Sequence, residues 1–150
     1  MIIYVKKNQF KKKILIGWRE WVKFPGLGIE KIKAKIDTGA RTSTLHALNI
    51  TPYISKSGKN KIKFQVYPEQ HNSNYFLNCT AYLLEQRNVK NSGGEVEFRY
   101  IINTVLCMAG YMWPIELTLT NRDAMGFRLL LGRTALSKRF LISPNKSFMT

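Results

Sequence analysis

Residues 31–36 constrain the fold more than any other part of the chain. They read Lys-Ile-Lys-Ala-Lys-Ile, so lysines alternate with apolar residues without exception. Successive side chains of a β-strand point to opposite faces, and this period of two therefore predicts a strand with one buried face. The strand runs directly into Asp37, Thr38 and Gly39, which places a polar loop at its end.

The rest of the chain also shows strand and turn patterns. Strand-like segments lie at 14–18, 21–24, 62–67, 77–84, 96–105, 115–120, 129–131 and 140–142. Turn sequences separate them, as at 25–28 and 57–60, and only 133–139 favours a helix. Many short strands with such turns are typical of barrels and sandwiches. We therefore expect a mostly-β single domain over 1–150, with 1–13 as a basic leading segment.

The charge balance predicts the kind of partner. The chain has 24 Lys+Arg against 9 Asp+Glu, a formal net charge of +15, which attracts polyanions. The lysines are spread over many segments, so simple solubilisation explains them equally well. No apolar run reaches the roughly 20 residues of a transmembrane helix, and the first residues lack the pattern of a secretory signal. We expect a cytoplasmic protein with no membrane partner, whose Cys79 and Cys107 are reduced and buried.

The loop at Asp37 is the best candidate for chemistry. An aspartate that leaves a buried strand is held rigidly in a partly dry site. Thr38 can fix the loop by hydrogen bonding, and Gly39 lets the backbone approach a partner closely. The same three residues are also ordinary turn chemistry, so a structural turn is the alternative.

Two separated stretches match a known class of peptidase. Residues 36–40, Ile-Asp-Thr-Gly-Ala, match the hydrophobic-Asp-Thr-Gly-Ala pattern of retropepsins, and residues 129–133, Leu-Leu-Leu-Gly-Arg, resemble their second element. Longer stretches resemble the family known as RimK-associated or "ATP-dependent zinc" proteases; they lie at 17–22, 34–43, 45–47, 113–123 and 131–136. The resemblance covers nearly the whole chain after residue 13.

The resemblance implies a closed β-barrel of the retropepsin or pepsin type. In that fold the second element crosses behind the catalytic loop and leads into one short helix. It also implies an aspartic-type peptidase with Asp37, Thr38 and Gly39 as the catalytic loop. A link to RimK-type ligases, which add glutamates to a ribosomal protein, is implied as well. Peptidase activity is a family-level expectation.

Aspartic peptidases need two carboxyl groups, and this chain carries one copy of the motif. One carboxylate activates water while the other protonates the carbonyl oxygen. Retropepsins meet this need with a symmetric homodimer, so this chain must dimerise through the Asp37 loop if it is a conventional aspartic peptidase. Asp123 is an intrachain alternative, although its segment is typical of a turn.

Three further residues are candidates for substrate binding. Arg41 and Arg133 each abut one signature element, and guanidinium groups bind carboxylates bidentately. His46 lies nine residues after Asp37 and could orient a substrate carbonyl or carboxylate. The alternatives are a histidine bonded to the backbone and arginines in internal salt bridges. Their candidate partners are Glu20, Glu116 and Asp123.

The zinc and ATP in the family's label find no support in the sequence. Nitrogen and sulfur ligands are limited to His46, His71, Cys79 and Cys107, without His-Glu-x-x-His or Cys-x-x-Cys spacing. No Gly-x-x-x-x-Gly-Lys-[Ser/Thr] loop is present, and His71 lies in a polar stretch typical of a loop. We therefore predict neither a metal nor another cofactor.

Three functions remain open at this stage. The first is a peptide hydrolase that acts on acidic or glutamylated peptides. The second is a non-catalytic module that binds acidic peptide tails. The third is a ribosome- or RNA-associated protein, against which the sequence shows no RRM or KH signature.

Overall fold

The computed structural model describes residues 2–4, 12–90, 93–121, 126–136 and 138–150. Its strands are β1 (Ile3–Tyr4), β2 (Ile14–Phe24), β3 (Ile29–Ile36), β4 (Ser43–His46), β5 (Leu48–Ile54), β6 (Asn60–Val66), β7 (Leu77–Lys90), β8 (Val96–Met108), β9 (Tyr111–Thr120), β10 (Leu129–Leu131) and β11 (Phe140–Ser147). A 3-10 turn covers Pro25–Leu27, and the helix α1 covers Arg133–Leu136. The mostly-β fold with a short helix after the second signature element is confirmed.

The strand pairings return on themselves. β3 lies between β2, which is antiparallel to it, and β10, which is parallel. β10 then pairs with β4, β4 with β9, and β9 with β8. β8 meets β2 through the pair Lys23 and Cys107, which completes a circuit of six strands. From β8 the sheet continues outward through β7, β6 and β5.

The predicted alternation of β3 builds the core of this circuit. Ile32, Ala34 and Ile36 are buried there, while the intervening lysines face outward. Trp113 on β9 is fully buried, and its indole Nε1 donates a hydrogen bond of 3.1 Å to the carbonyl oxygen of Ala135. This bond anchors α1 against the barrel-like circuit, directly behind the second signature element.

Several elements differ in extent from the sequence prediction. β2 is a continuous strand through Gly17. The adjacent β11 passes so closely there that a Cβ would lie 2.2 Å from the carbonyl oxygen of Lys146, so glycine is required at this position. α1 ends at Leu136 rather than near 139. β11 continues past Pro144, which falls where its register with β2 shifts, and irregular positions of this kind tolerate proline.

Both cysteines are buried free thiols, as the sequence predicts. Cys79 donates a hydrogen bond of 3.3 Å to the carbonyl oxygen of Leu27, and burial raises the pKa of its thiol to about 11. Burial also raises the pKa of Cys107, which the nearby charge of Lys23 partly counteracts. In the part of the chain that the structure describes, no helix has the length and apolarity to cross a bilayer.

Candidate active site

The two signature elements lie side by side. β3 and β10 are parallel neighbours, with Ile36 opposite Leu131. The backbone N–H of Asp37 donates a hydrogen bond of 2.8 Å to the carbonyl oxygen of Leu131. The N–H of Gly132 donates one of 3.0 Å to the buried hydroxyl of Ser43, at the start of β4. The loop that carries Asp37 is thereby tied to the second element at both ends.

The first residues of α1 hold the middle of the loop. The N–H of Arg133 donates to the carbonyl oxygen of Ala40 across 2.8 Å. Its guanidinium Nη1 donates to the carbonyl oxygens of Thr38 and Gly39, at 3.1 and 3.0 Å. Because three successive carbonyl groups are satisfied by one residue, Arg133 fixes the backbone of the candidate catalytic loop.

Two further contacts complete this attachment. The N–H and the hydroxyl of Thr134 both donate to the carbonyl oxygen of Arg41, at 3.0 and 2.9 Å. At Gly132 a Cβ would lie 2.8 Å from the carbonyl carbon of Thr42 and 2.9 Å from the carbonyl oxygen of Arg41. Close packing of the two elements therefore requires glycine at position 132.

The Asp37 side chain is half-buried at the wall of a cavity of about 650 Å³. Its Oδ1 accepts a hydrogen bond of 3.1 Å from the N–H of Gly39, which sets the orientation of the carboxyl group. Among the described residues that line the cavity, Asp37 is the only acidic one.

The same cavity is strongly cationic. It is lined by Arg41, Arg87, Lys90, Arg99 and Arg128. Three of these belong to the hairpin of β7 and β8, which forms one wall of the cavity. Arg87 and Arg99 are direct cross-strand partners, so they project from the same face of the hairpin. Such a concentration of positive charge favours anionic ligands.

The hairpin arginines are partly neutralised. Arg99 forms an ion pair of 3.0 Å with Glu97 and donates at 3.4 Å to the hydroxyl of Thr44. The Arg99 side chain is only 12% exposed, so this pair is screened less than a surface pair. Arg87 pairs with Glu85 and with Glu116.

Arg41 differs from the hairpin arginines. It is exposed at the cavity and its side chain makes no hydrogen bond or ion pair with another described residue. No described residue accepts a hydrogen bond from its five N–H donors.

The residues predicted from sequence divide into two groups. Asp37, Gly39, Arg41 and His46 all line the cavity, and His46 is largely buried there. Thr38 is exposed in the loop and does not line the cavity.

Arg133 contacts the backbone of the loop and does not line the cavity. It forms no salt bridge with Glu20 or Glu116, the two described carboxylates considered as its partners. Glu116 pairs with Arg87, and Glu20 accepts hydrogen bonds from the backbone of Gly17 and Met149. Asp123, the intrachain alternative, lies outside the described residues.

The metal-binding side chains among the described residues are too scattered for a zinc site. Among the described residues, no group of three or more His, Cys, Asp and Glu side chains is placed to hold a metal ion. His46 lines the cavity, whereas His71 lies in the loop between β6 and β7, as its sequence context predicts. Cys79 is occupied in the core by its bond to Leu27.

Sequence relatives share most of this chain. A probable alpha-L-glutamate ligase of Shewanella halifaxensis (strain HAW-EB4) is 46% identical over 136 residues, which cover 91% of this chain and 30% of the relative. A probable alpha-L-glutamate ligase of Parasynechococcus marenigrum (strain WH8102) is 47% identical over 136 residues, 91% of this chain and 29% of the relative. The chain thus spans about 30% of the length of these curated relatives.

The fold and the family also have known counterparts. A crystal structure of a Legionella pneumophila protein of unknown function superimposes with a TM-score of 0.76, covering 92% of this chain and 98% of that chain. At 23% identity this likeness shows the fold alone. The family model described as RimB-like, "Retropepsin-like aspartic endopeptidase RimB", matches residues 15–150. The resemblance read from the sequence is thereby confirmed, and the chain belongs to the RimB-like family of retropepsin-like aspartic endopeptidases.

Proposed function

We propose that this chain is an aspartic-type peptidase that hydrolyses acidic, glutamate-rich peptides. The observation that carries the proposal is the position of Asp37 on the wall of a cavity that also presents five Lys and Arg side chains. A carboxylate on the wall of such a cavity can act on a peptide bond while the neighbouring cations hold the peptide's own carboxylates. Membership of a family of aspartic endopeptidases supports the reaction type.

In the proposed reaction, the Asp37 carboxylate accepts a proton from water as the water oxygen bonds to the peptide carbonyl carbon. A second, protonated carboxyl group donates its proton to the carbonyl oxygen. The C–N bond of the resulting tetrahedral diol then breaks as Asp37 passes its proton to the amine nitrogen and the diol returns a proton to the second carboxylate. The two products are a carboxylic acid and an amine, and both carboxyl groups regain their starting protonation states. The described residues of one chain place a single carboxyl group at the cavity. We therefore assign the second to Asp37 of a second copy, related by a two-fold axis.

The loop geometry supports a preorganised carboxylate. The Gly39 N–H fixes one oxygen of Asp37, and Arg133 holds the carbonyl groups on either side of that N–H. A catalytic group that is held in place before substrate arrives loses little freedom in the transition state, which is an advantage in rate.

The cationic lining supports acidic substrates. Arg41 is exposed and offers a bidentate donor, while Arg87 and Arg99 add positive potential from the hairpin wall. His46 completes the lining near the loop. Relatives in which this region accompanies a probable alpha-L-glutamate ligase favour glutamate tails among acidic peptides. A ligase that adds glutamates and a peptidase that removes them would act on the same cytoplasmic protein. The peptidase role proposed for this chain requires neither zinc nor ATP.

A second candidate function is a binding module for acidic tails that performs no hydrolysis. Asp37 is the only carboxyl group among the described residues that line the cavity. This favours a binding module, since a lone carboxylate cannot both activate water and protonate the carbonyl oxygen. In this case the cavity would hold the same peptides and Asp37 would serve only as a loop residue.

Cleavage and binding of a glutamate-rich peptide and of its glutamine counterpart distinguish the two functions. Cleavage is followed by mass spectrometry, and both peptides are tested with wild type and with Asp37→Asn. We expect wild type to cleave the acidic peptide faster than the neutral one. Asp37→Asn should abolish cleavage and bind the acidic peptide at least as tightly, because a negative charge has been removed. Tight binding without cleavage by wild type, at concentrations well above the dimer dissociation constant, would establish the binding module instead. Elemental analysis of protein purified without added metal should show far less than one zinc per chain.

A further inference from the structure

The outer face of β5, β6 and β7 has a regular chemical pattern. Lys61 on β6 lies directly between Tyr53 on β5 and Tyr82 on β7 in the strand register. Side chains directly opposite one another in an antiparallel sheet project to the same face. These three residues therefore form a row in which a lysine is flanked by two tyrosines.

The neighbouring rows are polar and cationic. Two residues further along, Lys63 lies between Thr51 and Thr80. In the next row, the side chain of Gln65 accepts a hydrogen bond of 2.7 Å from Asn49 and donates one of 3.3 Å to Asn78. We call the surface formed by these three rows the β6 face; its nine residues are Asn49, Thr51, Tyr53, Lys61, Lys63, Gln65, Asn78, Thr80 and Tyr82.

Tyr82 is the most prominent aromatic side chain of the β6 face. It is 58% exposed, although tyrosine rings usually bury much of their surface. The Lys61 and Lys59 ammonium groups lie 5.1 and 5.4 Å from the centre of its ring. An exposed ring beside two cations presents both a stacking surface and phosphate-binding charges within a few ångströms.

The β6 face carries no opposing charge. Between residues 48 and 84 the sequence contains one acidic residue, Glu69, and it lies in the loop between β6 and β7. The opposite side of the same strands packs into the core through Ile62, Phe64 and Cys79. Lys63 is exposed and Lys61 is half-buried against the Tyr82 ring. Neither lysine forms an ion pair with an acidic side chain among the described residues.

We propose that the β6 face binds single-stranded nucleic acid. Aromatic side chains on which bases stack, combined with cations that follow the backbone, are the features by which proteins bind single strands. The strands of a sheet lie roughly 4.8 Å apart, so Tyr53 and Tyr82 are separated by roughly 10 Å across β6. The amide row of Asn49, Gln65 and Asn78 adds donors and acceptors that match base edges.

The β6 face favours nucleic acid over an acidic protein. An acidic peptide would use the lysines but would gain little from an exposed tyrosine, whereas unpaired bases use both. None of the nine residues of the face lines the cavity that contains Asp37, so the two surfaces can act independently. The pattern escapes a search for linear motifs because its members come from three strands and meet only through their register.

The test is the binding of fluorescently labelled 12-nucleotide poly(U) and poly(dT) to the full chain, followed by anisotropy. We expect Tyr82→Ala to weaken binding about fivefold or more, and Tyr82→Phe to retain it, since the phenyl ring also stacks. Lys61→Gln with Lys63→Gln should weaken binding further. It should also reduce the steepness of the salt dependence by about 1.4 in the log–log slope, because two phosphate contacts are lost.

A charge-matched control separates local contact from overall charge. Lys12→Gln with Lys13→Gln removes the same charge from exposed positions outside the β6 face and should leave the salt slope closer to that of wild type. Thermal unfolding verifies that each variant is folded. Equal effects of the two lysine pairs would overturn the proposal, as would duplex binding as tight as single-strand binding. Displacement of the oligonucleotide by a glutamate-rich peptide, together with loss of binding in Arg41→Ala, would move the anion site to the cavity and equally overturn it.

Discussion

The backbone N–H of Asp37 donates to the carbonyl oxygen of Leu131 across 2.8 Å, and this bond joins two segments that are more than 90 residues apart in the chain. It is the first of a series in which 131–134 satisfy the polar backbone groups of 37–41. A loop fixed in this way keeps its carboxyl group in one position, which is what a catalytic or a recognition role both require.

Gly132→Ala should displace the Asp37 loop. The new Cβ would lie 2.8 Å from the carbonyl carbon of Thr42, a backbone atom that cannot move without moving the loop. We expect a loss of about 1–3 kcal/mol in the free energy of unfolding, as for other overpacked sites, together with weaker binding of acidic peptides. Gly26→Ala is the matched control, because its Cβ would meet nothing closer than 3.7 Å. Denaturant unfolding of both variants checks the difference, and equal stabilities would contradict the close packing.

The sequence predicts the two elements of this arrangement but not the cavity they face. The alternation of 31–36 and the apolar run 129–131 are local patterns, so both strands are found from residue order alone. A short, fully apolar run such as 129–131 predicts a strand that is buried on both sides, yet Leu130 is half-buried and lines the cavity. β4 escapes prediction because Ser43 and Thr44 interrupt its apolar pattern, although β9 and β10 enclose it.

The cationic wall escapes prediction for a different reason. Arg87 and Arg99 meet only through the register of β7 with β8, and they reach the cavity only because the hairpin extends beside the Asp37 loop. The available signal was the alternation of Glu97 and Arg99 with Phe98 and Tyr100, which marks one charged face of a strand. Nothing local indicates which face of the hairpin is turned towards the cavity. Long-range register of this kind depends on packing that a single sequence does not reveal.

Arg41 and Arg133 should respond differently to replacement by alanine. Arg41 lines the cavity and no described residue occupies its donors, so Arg41→Ala should weaken binding of an acidic peptide by about 1.5–3 kcal/mol with little effect on stability. The Arg133 guanidinium donates hydrogen bonds to the carbonyl oxygens of Thr38 and Gly39. Arg133→Ala should therefore lower kcat and the free energy of unfolding, with a smaller effect on KM. Direct recognition of substrate carboxylates by Arg133, which the sequence also predicts, would instead raise KM as strongly as Arg41→Ala does. Calorimetric binding and steady-state kinetics distinguish these results.

Cys79 should resist alkylation in the native protein. Burial raises the pKa of its thiol to about 11, so almost none is present as the reactive thiolate at pH 8. Between its unfolded pKa near 9 and about 11, unfolding releases a proton that the native state retains, and Cys79 therefore contributes a loss of stability as the pH rises through that window. Iodoacetamide labelling with peptide mapping should modify Cys107 before Cys79, because the Lys23 charge opposes the effect of burial at Cys107. In denaturant both should label at similar rates, and rapid native labelling of Cys79 at pH 8 would show that its site opens.

The peptidase function predicts that activity depends on the association of two chains. One described cavity contributes a single carboxyl group, and two copies related by a two-fold axis would bring two Asp37 side chains together. Activity per mole of chain should therefore fall on dilution, at the concentration where sedimentation velocity shows the dimer dissociating.

Mixing provides a sharper measurement of the same dependence. Asp37→Asn chains added in excess to wild type should form mixed dimers and suppress activity, whereas Asp37→Asn with Arg133→Ala, whose loop is less well held, should suppress it less. Full activity of a monomer would exclude the shared site and require an acid within one chain. In that case Asp123→Asn, the replacement of the intrachain candidate, should abolish activity as completely as Asp37→Asn does.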